Sequence, residues 1–322
     1  MAETPILERA LAWACARPVR IAGYNPWEVA VRLWRAVVKD RVTGLAAEMA
    51  FFALLSLVPL LVAIGAGLGY LERIIGREQV AEAQATVIDA LSVVFSPDLT
   101  REVIAPFVEG LLTQERTGLA LGSLAVTLYL SSRVFTATIR ALDLAYNVED
   151  RRGLLAQRGL AVLFAVAAVV VFVLMLGFLV VGPLFGGGRV LAERLGFGRL
   201  FAFAWALGRW PLLVVLVIGF LALLYRLGPQ VDNRWRECLP GAVLGVVLWV
   251  LVSLGFRLYL DAGGGVQTPQ FGEEEEALRA AGRVVGAVVA SVLWIYLSGV
   301  AILVGGELNA ELALMREERQ DP

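Results

Sequence analysis

The chain has no histidine among its 322 residues. That excludes the usual general base, the commonest metal ligand and every His-dependent catalytic triad. Cysteine is nearly as scarce, and Cys15 and Cys238 alone are too few for a zinc cluster. Both read as small apolar filler. Charged residues make up only 18%, against about 25% in a soluble domain. With a net charge of −1 there is no basic field to gather nucleic acid. No phosphate-cradling glycine loop occurs, which argues against ATP-driven transport by this chain alone. A metal-dependent nuclease needs clustered carboxylates or histidines. The one carboxylate run, Glu273 to Glu276, is contiguous and reads as a solvated face. These absences argue for no catalytic residue, no cofactor and no resident metal.

What is present is apolar. Hydrophobic residues reach 59% and mean hydropathy is +0.75, concentrated in long uncharged blocks. Such blocks are the signature of membrane spans. Six are expected, at roughly 44–70, 118–146, 159–185, 210–225, 240–260 and 284–306. Each is near the ~20 residues that cross a ~30 Å hydrocarbon core. The fourth is the shortest, and LFAFAWALG upstream can extend it. The expected fold is therefore an all-α integral membrane protein with a six-span domain over 44–308. Residues 1–43 form a cytoplasmic or interfacial segment, and 309–322 a cytoplasmic tail. LERALAWACARPVR is not read as a signal peptide, because Glu8 and Arg9 interrupt a short apolar run.

Basic residues orient the bundle. Seven Lys/Arg precede Thr43, Arg151, Arg152 and Arg158 fall in the next loop on that side, and Arg226, Arg234 and Arg236 in the third. The opposite side carries four basic against eight acidic residues over 71–117, then the Glu273 to Glu276 run. The loop GGGRVLAERLGFGRL dissents, being basic yet external. The balance places both termini in the cytoplasm. In NPWEVAVRLWRAVVKD, Trp27, Val31, Trp34 and Val38 recur at helical spacing opposite Glu28, Arg32, Arg35 and Lys39. Beside a span, this pattern predicts an interfacial helix on the inner leaflet. The stretch 71–117 predicts an external cap of two short helices.

Charges inside the spans are the informative residues. Glu48 lies about one turn into the first span, Arg133 deep in the second, Arg226 near the inner end of the fourth, and Glu307 at the inner end of the sixth. Arg140 follows Arg133 two turns later on nearly the same face. Ser56 and Tyr225 add hydroxyls and Asn309 an amide. Pro59 interrupts the first span and predicts a helix break there. Two readings fit this set. The arginines snorkel to headgroups and pair with Glu48 and Glu307 to join helices. Or the residues line a cytoplasm-facing cavity that attracts an anionic solute or lipid headgroup. Gly241 and Gly245 form a GxxxG in the fifth span, a pattern that lets helices approach closely.

Four stretches together resemble a known family, the YihY/virulence factor BrkB proteins, once labelled ribonuclease BN. They are AAEMAFFALLSLVPLL, RVFTATIRALDLAYNVEDRRG, LLYRLGPQVDNRWRECLPGAVLGVVLW and LWIYLSGVAILVGGELNA, spread from about Asp40 to Ala310. The resemblance implies a bacterial inner-membrane protein with six spans, and links to envelope lipid export have been proposed for members. Phe51 and Phe52 stand where that family often has a tyrosine, and Val285-Gly286 where Tyr-Gly is frequent. Three functions are weighed on these residues: a transporter or lipid-handling protein, a non-transporting membrane scaffold or envelope-integrity protein, and a ribonuclease. The intramembrane arginines favour the first, and the missing nuclease constellation disfavours the last. Membrane lipids and an anionic solute or headgroup are the expected partners, and nucleic acid is not.

Overall fold

The computed structural model describes residues 23–75, 117–148, 152–184, 198–260 and 276–320, with a few single positions elsewhere. The elements among them are seven helices: α1 Pro26–Lys39, α2 Val42–Ile75, α3 Thr117–Ala145, α4 Leu154–Leu184, α5 Gly198–Leu227, α6 Trp235–Tyr259 and α7 Glu276–Gln320. Five of them, α2, α4, α5, α6 and α7, are long and apolar enough to cross a membrane. The described residues are thus those of an all-helical protein with the apolar helix lengths of a membrane protein. The third helix is as long as its neighbours at 29 residues but more polar, with eight Ser, Thr and Arg side chains between Ser123 and Arg140. It does not meet the same apolar standard.

Successive helices from α2 to α7 pack side by side, and α7 closes back onto α2. The last helix also touches α3 and α5, so it lies nearest the centre of the ring. Its position follows from its sequence: Ala301, Leu303, Ala310, Leu312 and Met315 are buried, and Gly305 and Gly306 allow other helices to close on it. The buried apolar side chains gather toward one end of the ring. Ile139 and Leu142 of α3, Phe164 of α4, Leu224 of α5 and Cys238 of α6 form the larger cluster. Phe135, Phe164 and Phe220 join it with ring centroids 5.9 to 6.4 Å apart, an arrangement that adds aromatic contact to burial. Val42, Ala46 and Met49 of α2 pack on Ala137, Ala141 and Leu303 in the second cluster. Outward faces are apolar as well: Leu163, Val173, Val215 and Leu251 are each more than half exposed. Lipid is the solvent that suits such a surface.

Helix ends obey local rules. Asn25 accepts from the Trp27 amide at 3.0 Å and Pro26 occupies the first turn of α1. Asn147, with φ of 51°, ends α3 in the left-handed region that Asn tolerates better than most residues. Arg152 sends its guanidinium to the Leu227, Gly228 and Pro229 carbonyls at 3.0 to 3.3 Å, capping the negative end of α5.

One expectation changes. Pro59 does not break a helix: α2 is continuous from Val42 to Ile75. Proline removes one amide donor, but an open helix in hydrocarbon would orphan many more groups, so the ladder persists on both sides. The segment after Asn309 is helical, as α7 runs on to Gln320. The fifth helix begins at Gly198, so LFAFAWALG does extend the stretch that starts at Trp210, as the sequence allowed. The external cap expected over 71–117 and the Glu273 to Glu276 run fall largely outside the described residues.

Candidate functional site

The sequence brought Glu48, Arg133, Arg226 and Glu307 to one level of the membrane. The fold divides them among separate neighbourhoods. Glu48 pairs with Arg140, not Arg133, at 3.7 Å between Oε1 and Nη1. The side chains remain 35% and 50% exposed, which places this pair near the weak end of ion-pair energetics. Arg140→Gln is therefore expected to lower stability by no more than ~1 kcal/mol, read by denaturant unfolding in micelles.

Glu307 is 3% exposed and its Oε2 has no hydrogen-bond partner among the described residues. The charges acting on it are Asp40, Glu311 and Lys39, with no arginine among them. Asp40 caps α1 and is itself buried, and loss of water pushes its carboxyl above the ordinary value while Lys39 at 3.9 Å pulls it down. Arg226 stacks on Trp235, 4.6 Å from the ring centroid. It lines a loop cleft with Arg152, Gln230 and Asp232.

Tyr225, Asn309, Gly241 and Gly245 belong to a packing seam. Tyr225 is fully buried and donates to the Ile302 carbonyl at 2.5 Å, tying α5 to α7. Asn309 accepts from the Gly241 amide at 2.7 Å and donates to the Cys238 carbonyl at 3.0 Å. These groups flank Pro240, which has no amide hydrogen and crowds the carbonyl four residues earlier. The Asn309 amide answers main-chain groups where the helix ladder is disturbed. Around it the backbones touch: a Cβ on Gly241 would fall on the Gly305 carbonyl, and one on Gly305 would lie 2.7 Å from the Tyr225 hydroxyl. Ser56 also serves its own helix, donating to the Ala53 carbonyl at 2.7 Å.

Arg133 is different. It is only partly buried, stacks on Phe52 at 5.0 Å, and has no carboxylate partner among the described residues. It lies about three turns before the end of α3, ~18 Å along the axis. There it lines a half-open cleft of about 280 Å³ between α3 and α4. Tyr129, Ser132, Thr136 and Arg158 share that lining, with Ala125, Leu128 and Val162 as apolar wall. No acidic side chain lines it. The Ser132 and Thr136 hydroxyls donate back to the Tyr129 and Ser132 carbonyls at 2.7 and 2.9 Å. Their hydrogens are committed, which leaves Arg133, Arg158 and the Tyr129 hydroxyl as the donors of the lining.

Arg158 was missed as a site residue. In the sequence it counts as a loop charge, but α4 starts at Leu154 and carries it past the first turn. Three further contacts were missed. Asp143 is 5% exposed and accepts from the Gln230 amide at 3.0 Å, fixing the loop between α5 and α6. Glu237 meets Arg316 at 2.6 Å, and Arg32 meets Glu318 at 2.9 Å, tying α6 and α1 to the end of α7. The visible signal for Asp143 was a carboxylate in the otherwise apolar stretch ALDLAY.

A family model described as Virulence factor BrkB matches residues 33–322. YfkH of Bacillus subtilis (strain 168), whose name calls it ribonuclease-like, is 27% identical over 83% of this chain and 88% of its own length. A UPF0761 membrane protein of Xanthomonas oryzae pv. oryzae (strain PXO99A) is 29% identical over 88% of this chain. XAC0937 of Xanthomonas axonopodis pv. citri (strain 306), also named a UPF0761 membrane protein, is 29% identical over the same share. This chain spans about 60% of the length of those two relatives. No solved structure matches.

Proposed function

The chain belongs to the Virulence factor BrkB family, and from that premise we propose that it handles anionic lipid or solute, with the α3–α4 cleft as its site. The observation that carries this reading is Arg133: a guanidinium within an otherwise uncharged stretch of helix, without a carboxylate, in a cleft with no acid. An intramembrane charge is expensive unless partnered, and an anion is the missing partner. The volume is just below the ~300–1,000 Å³ of common small-molecule pockets, so it suits a headgroup better than a whole amphiphile.

The reading includes six spans in a bacterial inner membrane, with α3 as the second. Its support is the ring: α3 lies between α2 and α4 along much of its length. Thr127, Ser132, Thr136 and Thr138 hydrogen-bond to carbonyls of their own helix, which lowers the penalty for placing hydroxyls in lipid. The basic loops support a topology with both termini in the cytoplasm. Gly118→Cys and Asn147→Cys, each in a background lacking Cys15 and Cys238, are expected to react with an impermeant maleimide from opposite sides. Labelling from one side removes α3 from the spans.

The same reading lays α1 on the inner leaflet. Its charged face turns to the protein, with Arg32 on Glu318, while Trp27, Trp34 and Val38 are 43%, 65% and 61% exposed. An apolar face turned away from the bundle, next to a span, suits headgroups and acyl boundary.

The experiment is reconstitution into liposomes carrying anionic lipids or solutes. Wild type is expected to move at least one across the bilayer, and Arg133→Gln to lose most of that flux. Equal flux in both rejects the site. Scaffolding is the second reading, and it is favoured by how fully Glu48, Tyr225, Arg226 and Asn309 are occupied within the protein. Ribonuclease activity, carried in the name of YfkH, finds no support in a chain without histidine.

A further inference from the structure

We propose that the α3–α4 cleft selects a phosphate monoester headgroup, held between Arg133 and Arg158, over singly charged lipids. This rests on the reading of the cleft as an anion site and adds a ligand class and a second residue to it.

The argument is one of charge and donors. Two arginines line one small cleft, Arg133 from α3 and Arg158 from α4, and no carboxylate lines it. Among the described residues, Arg158 has neither hydrogen bond nor ion pair, and Arg133 has only the Phe52 ring. Each guanidinium offers a planar fork of N–H groups that matches phosphate oxygens two at a time. A phosphodiester or a carboxylate brings one negative charge and leaves one cation unmatched. A phosphate monoester brings −1.5 to −2 near neutral pH, together with three acceptor oxygens. Serine and threonine do not compete, since their hydrogens are spent on the helix backbone. That leaves the Tyr129 hydroxyl and two cationic side chains as the donors of a lining whose formal charge is two.

The walls indicate that the anion is attached to an apolar body. Leu128 and Val162 line the same cleft, and beyond it Leu121, Leu124 and Leu163 are 64%, 55% and 59% exposed. An acyl chain can follow that outer face of α3 and α4 while its headgroup sits between the arginines. Free phosphate shares the headgroup chemistry without the chain, so the two sources need separate arms.

The test uses the full chain in nanodiscs of phosphatidylcholine. These contain phosphatidic acid, or phosphatidylglycerol, or neither with inorganic phosphate in solution, and binding is measured by competition with a fluorescent lipid. Wild type is expected to prefer phosphatidic acid over phosphatidylglycerol by about tenfold, the worth of one charge-assisted contact. Arg158→Gln is expected to abolish the preference while retaining phosphatidylglycerol binding, and Arg158→Lys to restore part of it. Arg133→Gln is expected to weaken both lipids. Melting of each variant in the same nanodiscs guards against a folding defect, and Arg158 is exposed enough to change without one. Equal affinity for the two lipids, unmoved by Arg158→Gln, overturns the monoester assignment but leaves the anion site if Arg133 still matters. Binding indifferent to Arg133 overturns the anion site itself. Inorganic phosphate displacing the probe as strongly as phosphatidic acid overturns the lipid part.

Discussion

Gly241→Ala is expected to destroy the seam between α6 and α7 and most of the folded population with it. The added methyl carbon lands on the Gly305 carbonyl oxygen and 2.5 Å from the Asn309 side chain. One of these obstacles is main chain, so it can yield only if a whole helix moves. Overpacking a core usually costs about 1–3 kcal/mol, and a backbone obstacle puts this position at or above the upper end. The helices must separate, and their separation breaks the Asn309 contacts to Gly241 and Cys238 as well. Gly219→Ala in α5 is the control, because nothing lies within 4 Å of a Cβ there. The pair is read by unfolding in mixed micelles: Gly219→Ala keeps the wild-type transition and Gly241→Ala loses it. Matching transitions would mean that α6 and α7 do not touch as described.

The second large effect belongs to Asn309→Leu. The side chain is 2% exposed and its amide serves two backbone groups on another helix. Leucine fills similar volume but leaves the Gly241 N–H and the Cys238 carbonyl buried without partners. Each orphan costs roughly 1–3 kcal/mol, and in a bilayer water cannot relieve it. A loss of about 2–6 kcal/mol in the same unfolding assay is therefore expected. A change below ~0.5 kcal/mol, the ordinary range for a neutral surface substitution, would show that Pro240 needs no such help.

How much of this was legible beforehand depends on the type of contact. Long uncharged blocks revealed where helices lie, because hydrocarbon leaves a chain little else to form. Gly241 and Gly245 could be read as a close-contact pair, since small residues at that spacing have few other uses in a span. Partner choice could not. Arg133 and Arg140 share a face two turns apart, and which of them meets Glu48 depends on how far α2 slides along α3. The connection from 76 to 116 is too long to determine that offset, so the sequence pointed to Arg133 while the fold pairs Arg140. Glu307 illustrates the same limit: its depth was estimable, but its neighbours Asp40 and Lys39 come from the corner between α1 and α2. Arg158 was hidden by a boundary, being counted in a loop when α4 had already begun. Pro59 misled because its effect on an isolated helix was carried over to one supported on both sides.

The central claim is that Arg133, in the α3–α4 cleft it shares with Arg158, is left for an anionic ligand, while Arg140 is paired with Glu48. Native mass spectrometry of protein purified from membranes in mild detergent tests it most directly. Wild type and Arg140→Gln are predicted to carry tightly held anionic lipid, and Arg133→Gln to lose it. If Arg133→Gln carries the same lipid in the same amount, Arg133 is not the ligand's partner and the account fails.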